Sequence, residues 1–375
     1  MPAPTLPSIP RYIPAPPTKE DLEWAPLPII DFSEAGTSEG RAALAVQVRD
    51  AMRTYGFLYI VNHGYTQAQN SRIFDISDAI FTQVPEDEKK RLLGDFQKTG
   101  SYRGYKPRQT WDISNGVRDQ IEQYNFHRAV TDPKHQKHAR AIEPFLPELR
   151  AFTEHNHLNI VHPLLRMLAL GMELPEETFV NLHSFDGPSD SSGRIMKYHP
   201  RSEEEEAKTN NVWIKGHTDI GTITVLWSQP VAGLQIMCPD GRWRWVRHIE
   251  NALVVNISDG MEFLSGGFYK ATIHRVRQPP ADQAGCVRLG VFYFCQAEDD
   301  VRLVPRLESP VLQRVGVVRR FEDARAPTMR QYYTGAISSS PFLVQLEMLR
   351  DRLPLDSDDP VALHVPYQAS GCRLQ

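Results

Sequence analysis

Two imidazoles and one carboxylate on one face of a metal ion leave the remaining positions open for other ligands. The sequence holds the parts of such a set. His217-Thr218-Asp219 offers an imidazole and a carboxylate two residues apart. On a strand, alternate side chains point the same way, so both can reach one ion. A third ligand must come from another strand facing the same cavity, and His274 opens the strand-like stretch Ile273-His274-Arg275-Val276. The tripeptide alone is weak: a chain with 13 histidines is expected to contain roughly one His-x-Asp by chance, and a lone histidine is more often structural. Order adds weight, because strand-like segments separate the two histidines and Arg288 follows on the next strand. A guanidinium grips a carboxylate with two parallel hydrogen bonds. An organic acid held by Arg288 could reach iron(II) with its other end, which leaves room for oxygen.

The elements that would position these residues change character along the chain. Residues 1–26 are proline-rich and read as an extended arm. Leu27–Phe32 reads as a short strand. Leu44, Val48, Ala51, Met52 and Tyr55 share one face of an amphipathic helix that Gly56 ends. Phe57–Val61 is an apolar strand, and Thr66–Phe81 is a second helix. Thr99–Asn125 reads as loop and short strand, and residues 141–171 as helix with a break at Pro163. Beyond about residue 190 the segments become short, β-branched and aromatic: Ile195–Tyr198, Thr222–Trp227, Gly233–Met237, Trp243–Ile249, Ala252–Ile257, Thr272–Val276 and Arg288–Gln296. Pro239-Asp240-Gly241 marks a hairpin turn. Such spacing predicts an antiparallel sandwich or barrel. The stretch from Thr328 is weakly helical, residues 354–375 look loosely ordered, and Glu203–Glu206 reads as a solvated loop. There is no internal repeat.

Bulk properties set bounds. The 375 residues, 41% hydrophobic and 23% charged, are those of a globular protein able to bury a large core. A net charge of −4 gives no sign of a nucleic-acid or anionic-membrane partner. Cys238, Cys286, Cys295 and Cys372 lack metal-knuckle spacing and fit a reducing compartment. With no signal pattern and no transmembrane run, the expected location is cytoplasmic. Cys372-Arg373-Leu374-Gln375 resembles a prenylation box only superficially, since Arg373 is not aliphatic. A small-molecule substrate is the expected partner, and the oligomeric state is left open.

The ordered motifs resemble the isopenicillin-N-synthase-like branch of the 2-oxoglutarate and iron(II)-dependent dioxygenases. The resemblance covers about residues 27–300. It rests on Leu27–Phe32, on Tyr55-Gly56-Phe57-Leu58-Tyr59-Ile60-Val61-Asn62-His63-Gly64 and on Val84-Pro85-Glu86-Asp87-Glu88-Lys89. It rests more specifically on His217-Thr218-Asp219-Ile220-Gly221-Thr222-Ile223-Thr224, on Gly233-Leu234-Gln235-Ile236 followed by Trp243, on Val254–Asp259 and on Gly267–Val276. It implies a mixed α/β fold with a β core, a double-stranded β-helix (jelly roll) with flanking helices. The implied organisation is an arm over 1–26, a mostly helical N-terminal region over 27–185, a jelly-roll core over 190–300 and a C-terminal helix and tail over 301–375. It implies iron(II) on His217, Asp219 and His274, with 2-oxoglutarate anchored by Arg288. Oxygen and 2-oxoglutarate would be consumed, with succinate and CO2 released, as a substrate is hydroxylated, desaturated or cyclised.

Two positions depart from that pattern. A serine is expected two residues after the arginine, and Gly290 stands there, so one hydroxyl donor is missing. Asn and Tyr, two apart, are expected before a proline in the first core strand. Here the segment reads Lys197-Tyr198-His199-Pro200. Alternation favours Lys197 and His199 facing inward to supply the missing contact; a shift of one residue would instead bring Tyr198 inward. Lys215 reads as solvent-facing, and His155, His157 and His162 as surface or helix-packing residues. His63 matches a structural position. Phe294 shares the parity of Arg288 and is a candidate substrate contact, as are Tyr102 and Tyr105 at the cavity lip. Trp213 fits either a core or a cavity role. Two other functions fit parts of this pattern. One is an iron oxidase of the same fold that does not use 2-oxoglutarate, like isopenicillin N synthase or aminocyclopropanecarboxylate oxidase. The other is a binding protein without chemistry, which an intact ligand set argues against.

Overall fold

The computed structural model describes residues 6–338. In chain order the elements are β1 (Ile29–Asp31), α1 (Ser38–Thr54), β2 (Phe57–Val61), α2 (Gln67–Thr82), α3 (Glu86–Arg91), α4 (Phe96–Thr99), β3 (Gly104–Lys106), β4 (Asp112–Ser114), β5 (Val117–Arg118), β6 (Ile121–His127), α5 (Leu146–Glu154) and α6 (His162–Gly171). There follow β7 (Ser192–Tyr198), α7 (Glu203–Lys208), β8 (Val212–His217), β9 (Ile223–Trp227), β10 (Leu234–Met237), β11 (Trp243–Trp245), β12 (Leu253–Ile257), α8 (Asp259–Leu264), β13 (His274–Arg277), β14 (Arg288–Cys295), α9 (Pro310–Val315) and α10 (Met329–Ser338).

Local chemistry accounts for the helix ends. Thr37 caps α1 by accepting from the Gly40 amide, and the helix buries Val48, Ala51 and Met52. Gly56 reverses the chain into β2 at φ +64; a Cβ there would stand 2.1 Å from the Lys270 carbonyl oxygen. Thr66 and Gln69 cap α2 reciprocally. The break expected at Pro163 takes a different form. Helix continues through a π-helical stretch, His155–Val161, and Pro163 lies in the first turn of α6. The wider π turn relieves the carbonyl that a proline ring would strike.

Two sheets face each other as a double-stranded β-helix. The larger runs β1-β2-β12-β9-β14-β7-β6-β3 and the smaller β11-β10-β13-β8. Four strands of the larger sheet come from residues 29–127 and four from residues 192–295. Alternation divides each central strand. On β14, Leu289, Val291, Tyr293 and Cys295 join the core shared with the helices, as do Ile223, Val225 and Trp227 of β9. The intervening residues face the smaller sheet and bound a cavity. Burial on both faces explains why these strands are apolar almost throughout.

Several expectations need correction. Glu203–Glu206 is not a solvated loop: it begins α7, capped by Ser202, and Glu206 is buried and accepts from Trp213 Nε1 at 2.6 Å. The stretch Val212–His217, not singled out among the strands, is β8. The arm is tied down: Tyr12 stacks on Phe74 and donates its amide to Asp75, and Thr18 donates to Asp282. The expectations for residues 354–375 and for Cys372–Gln375 lie outside the described residues. Among the described residues no helix is long and apolar enough to cross a membrane.

Candidate metal centre and its cavity

His217 ends β8 and His274 begins β13, and the two pair directly across the smaller sheet, their ring centroids 4.3 Å apart. Asp219 lies just past the end of β8, in the connection to β9, so the reach of His217-Thr218-Asp219 depends on that bend rather than on strand alternation alone. Asp219 Oδ1 is 3.9 Å from His217 Nε2 and 3.7 Å from His274 Nε2. One ligand atom from each residue falls within 4.8 Å of the others, a spacing that could hold one metal ion.

Neighbouring groups orient every member. His217 Nδ1 donates to the Lys215 carbonyl at 2.9 Å and His274 Nδ1 to the Thr272 carbonyl at 3.1 Å. A carbonyl can only accept, so both rings carry the proton on Nδ1 and present the Nε2 lone pair to the centre. Asp219 Oδ2 accepts from Thr224 Oγ1 at 2.7 Å and Asn256 Nδ2 at 2.9 Å, which leaves Oδ1 facing the two imidazoles. Burial, then the neighbouring His274, holds the His217 pKa down at about 4, so its imidazole is neutral near pH 7. Thr224 and Asn256 were not singled out in the sequence. A polar Asn256 inside the apolar strand Leu253–Ile257 was the available signal.

Arg288 starts β14 on the same inner face. It is 2% exposed, yet its Nε and Nη1 have no hydrogen-bond partner. Its guanidinium lies 5.0 Å from the centroid of the Tyr198 ring, and burial pulls its pKa down. A buried cation without an anion is costly, so the site suits a carboxylate.

The favoured inward placement of Lys197 and His199 is overturned. Tyr198 pairs with Arg288 across β7 and β14 and lines the cavity. Lys197 points away and bonds Asp78 at 2.8 Å; His199 bonds Glu122 at 2.8 Å. The register of the strand, not a preference for charge, decides this. Phe294 and Tyr102 line the cavity, but Tyr105 does not: it is buried in the helix-side core and donates to the Ile80 carbonyl at 3.1 Å. Lys215, read as solvent-facing, is half-buried on the cavity wall. Trp213 is buried, stacked on Tyr198, and donates its indole N–H to Glu206. His63 bonds the Asn251 carbonyl; His157 and His162 both donate to the His183 carbonyl, as packing residues do. Trp111, Arg194 and Tyr333 also line the cavity and were not foreseen.

Comparisons with known proteins point to one superfamily. The family described as the 2OG-Fe(II) oxygenase superfamily matches residues 179–297. The N-terminal region of the non-haem dioxygenase in morphine synthesis matches residues 27–148. The chain is 27% identical to the 2-oxoglutarate-Fe(II) type oxidoreductase hxnY of Emericella nidulans, over 73% of this chain and 80% of that protein. It is 28% identical to leucoanthocyanidin dioxygenase 2 of Oryza sativa subsp. japonica, over 74% of this chain and 72% of that protein. Its fold is similar to that of a full-length Neurospora crassa protein crystallised with alpha-KG: TM-score 0.72, 23% identity, 84% of this chain and 96% of that one.

Proposed function

The chain belongs to the 2-oxoglutarate and iron(II)-dependent oxygenase superfamily, and from that premise we propose that it oxidises a small, partly apolar organic molecule, a specialised metabolite, at a C–H bond. The order of its motifs favours the isopenicillin-N-synthase-like branch. As a dioxygenase it is an oxidoreductase that uses iron(II), 2-oxoglutarate and oxygen. In the default outcome the substrate C–H becomes C–OH while 2-oxoglutarate and O2 become succinate and CO2.

In this reading His217, Asp219 and His274 hold the iron, and Arg288 receives the far carboxylate of 2-oxoglutarate. Bound iron would supply the oxygen activation. The chain's own residues do the rest. The Lys215 and Thr272 carbonyls and the Thr224 and Asn256 side chains fix the ligands in place. Tyr198 flanks the cosubstrate anchor, and the aromatic wall of Phe292, Phe294, Trp111 and Tyr333 excludes water and holds the substrate. The observation that carries the reading is Arg288: a buried guanidinium with two unpartnered nitrogens, in the same cavity as the three ligands. The free thiols of Cys238, Cys286 and Cys295 support a reducing, cytoplasmic setting.

The test is an anaerobic titration with iron(II) and then 2-oxoglutarate, following the weak visible charge-transfer band of the chelate. The band is expected in the wild type, absent in His217→Ala and, at equal 2-oxoglutarate, several-fold weaker in Arg288→Ala. Iron binding with no band at any 2-oxoglutarate concentration would favour the oxidase that dispenses with the cosubstrate.

A further inference from the structure

The cavity carries a second cationic anchor that the cosubstrate does not use. Arg194 stands on the inner face of β7, opposite Phe292 of β14, whereas Arg288 stands opposite Tyr198. Four residues of strand separate the two arginines, roughly 13 Å. Arg194 is half-buried and lines the cavity. Its Nε donates to Asn125 Oδ1 at 2.5 Å, which sets the plane of the guanidinium. Phe294 and Tyr102 flank it, their ring centroids 4.4 and 5.2 Å from its central carbon. No carboxylate among the described residues forms an ion pair with it, and the Asn125 bond leaves its two terminal nitrogens for a ligand.

A second observation concerns the neighbouring strand. Gln123 of β6, paired with Met196, lines the same cavity and is fully buried, yet neither its Oε1 nor its Nε2 has a partner. An amide buried this way calls for a ligand able to hydrogen-bond it.

Charge points the same way. Among the described residues, the two arginines on the cavity wall, Arg194 and Arg288, face one carboxylate, Asp219. A divalent metal and the 2-oxoglutarate dianion cancel each other, so these described groups keep one net positive charge, which an anionic substrate would offset.

We infer that the substrate is a carboxylate on a flat apolar body, with the carboxylate held end-on by Arg194 beside the Gln123 amide and the body lying along the Phe294 and Tyr102 rings toward His217, Asp219 and His274. The inference rests on the proposed oxygenase reading for the chemistry, and on Arg194 and Gln123 for the substrate class. A bidentate guanidinium contact gives the carboxylate both strength and direction, and a carboxylate held there directs the far end of the molecule to the metal centre.

The experiment is calorimetric titration under argon of the protein loaded with iron(II) and saturating 2-oxoglutarate. The probes are benzoate, phenylacetate and 3-phenylpropionate, each alongside its neutral amide. At least one acid is expected to bind tenfold or more tightly than its amide. Arg194→Gln should bring that ratio within twofold of one. Arg194→Lys, which keeps the charge, should retain part of it and so separates loss of the anchor from loss of the fold. The dissociation constant of 2-oxoglutarate should change less than twofold in both variants. An acid preference absent from the wild type, or undiminished in Arg194→Gln, overturns the inference. If the wild type shows no charge-transfer band, the 2-oxoglutarate reading fails separately; the acid-to-amide ratio on metal-free Arg288→Gln protein then decides the role of Arg194, by the same criteria.

Discussion

Gly290 lies two residues beyond Arg288 on the cavity face of β14, where a serine was expected. The position has no room for one: a Cβ would stand 2.6 Å from Cε2 of the Phe292 ring. Phe292 fills the volume beside the Arg288 guanidinium, and glycine is the residue that lets it do so. Gly290 and Phe292 are therefore one structural choice. Tyr198, brought inward by the register, sets a phenol beside the same guanidinium. Installing the serine is expected to harm rather than help. Gly290→Ser should lower stability by about 1–3 kcal/mol through overpacking and leave 2-oxoglutarate affinity no better. Denaturant midpoints and the charge-transfer titration check both. Adding Phe292→Leu should recover much of the stability. A serine variant that binds 2-oxoglutarate more tightly with Phe292 in place would refute this account.

At the scale of elements, the short helix α7 braces β8, the strand that ends at His217. Glu206 is buried and accepts the Trp213 indole N–H, and Trp213 stacks on Tyr198 with ring planes 15° apart. A chain of contacts thus runs from α7 through β8 to the phenol beside Arg288. Glu206→Ala leaves a buried indole N–H without an acceptor, and the expected loss is about 1–3 kcal/mol. Glu206→Gln keeps an acceptor and should lose clearly less. Urea midpoints of the two variants decide it, and equal losses would mean that the hydrogen bond contributes nothing. The same helix shows where patterning misleads. Four consecutive glutamates suggest solvent, yet Ser202 and Glu205 form a capping box, and acidic residues suit the first turn of a helix.

For the whole molecule, buried imidazoles set the response to acid. Burial holds the pKa of His127 and His157 down at about 3, and that of His155 and His183 at about 4. In the unfolded chain a histidine titrates near its ordinary value of about 6.5. Between roughly pH 6.5 and 4 the unfolded chain therefore binds protons that the folded chain refuses, so stability rises with pH across that window and falls as pH drops through it. Below about pH 3 these groups are charged in both states and add no further slope. The urea midpoint is expected to fall steeply from pH 7 to pH 5, and a midpoint flat over that range would contradict the burial of these rings as neutral donors and acceptors. His157 shows the packing involved: it donates to the His183 carbonyl and accepts from the Tyr293 hydroxyl, each at 2.7 Å, joining the π-helical segment to β14.

Residue type and order alone determined the kind of site and the kind of fold. His217, Asp219, His274 and Arg288 are few, chemically distinctive and set among apolar segments whose alternation and turn residues report a β core. Local signals of that sort survive without coordinates because they depend on spacing along one chain. What only the tertiary structure decided is which face each strand turns inward and what stands across from it. A shift of one residue exchanges Tyr198 for Lys197 and His199, and the pairing of Arg288 with Tyr198 settles that register through backbone hydrogen bonds to a strand some ninety residues away. Arg194 and Gln123 were silent for the same reason. Each is an ordinary polar residue in its own strand, and only the sheet puts them on one wall, the arginine with no ion pair among the described residues and the amide without a hydrogen-bond partner.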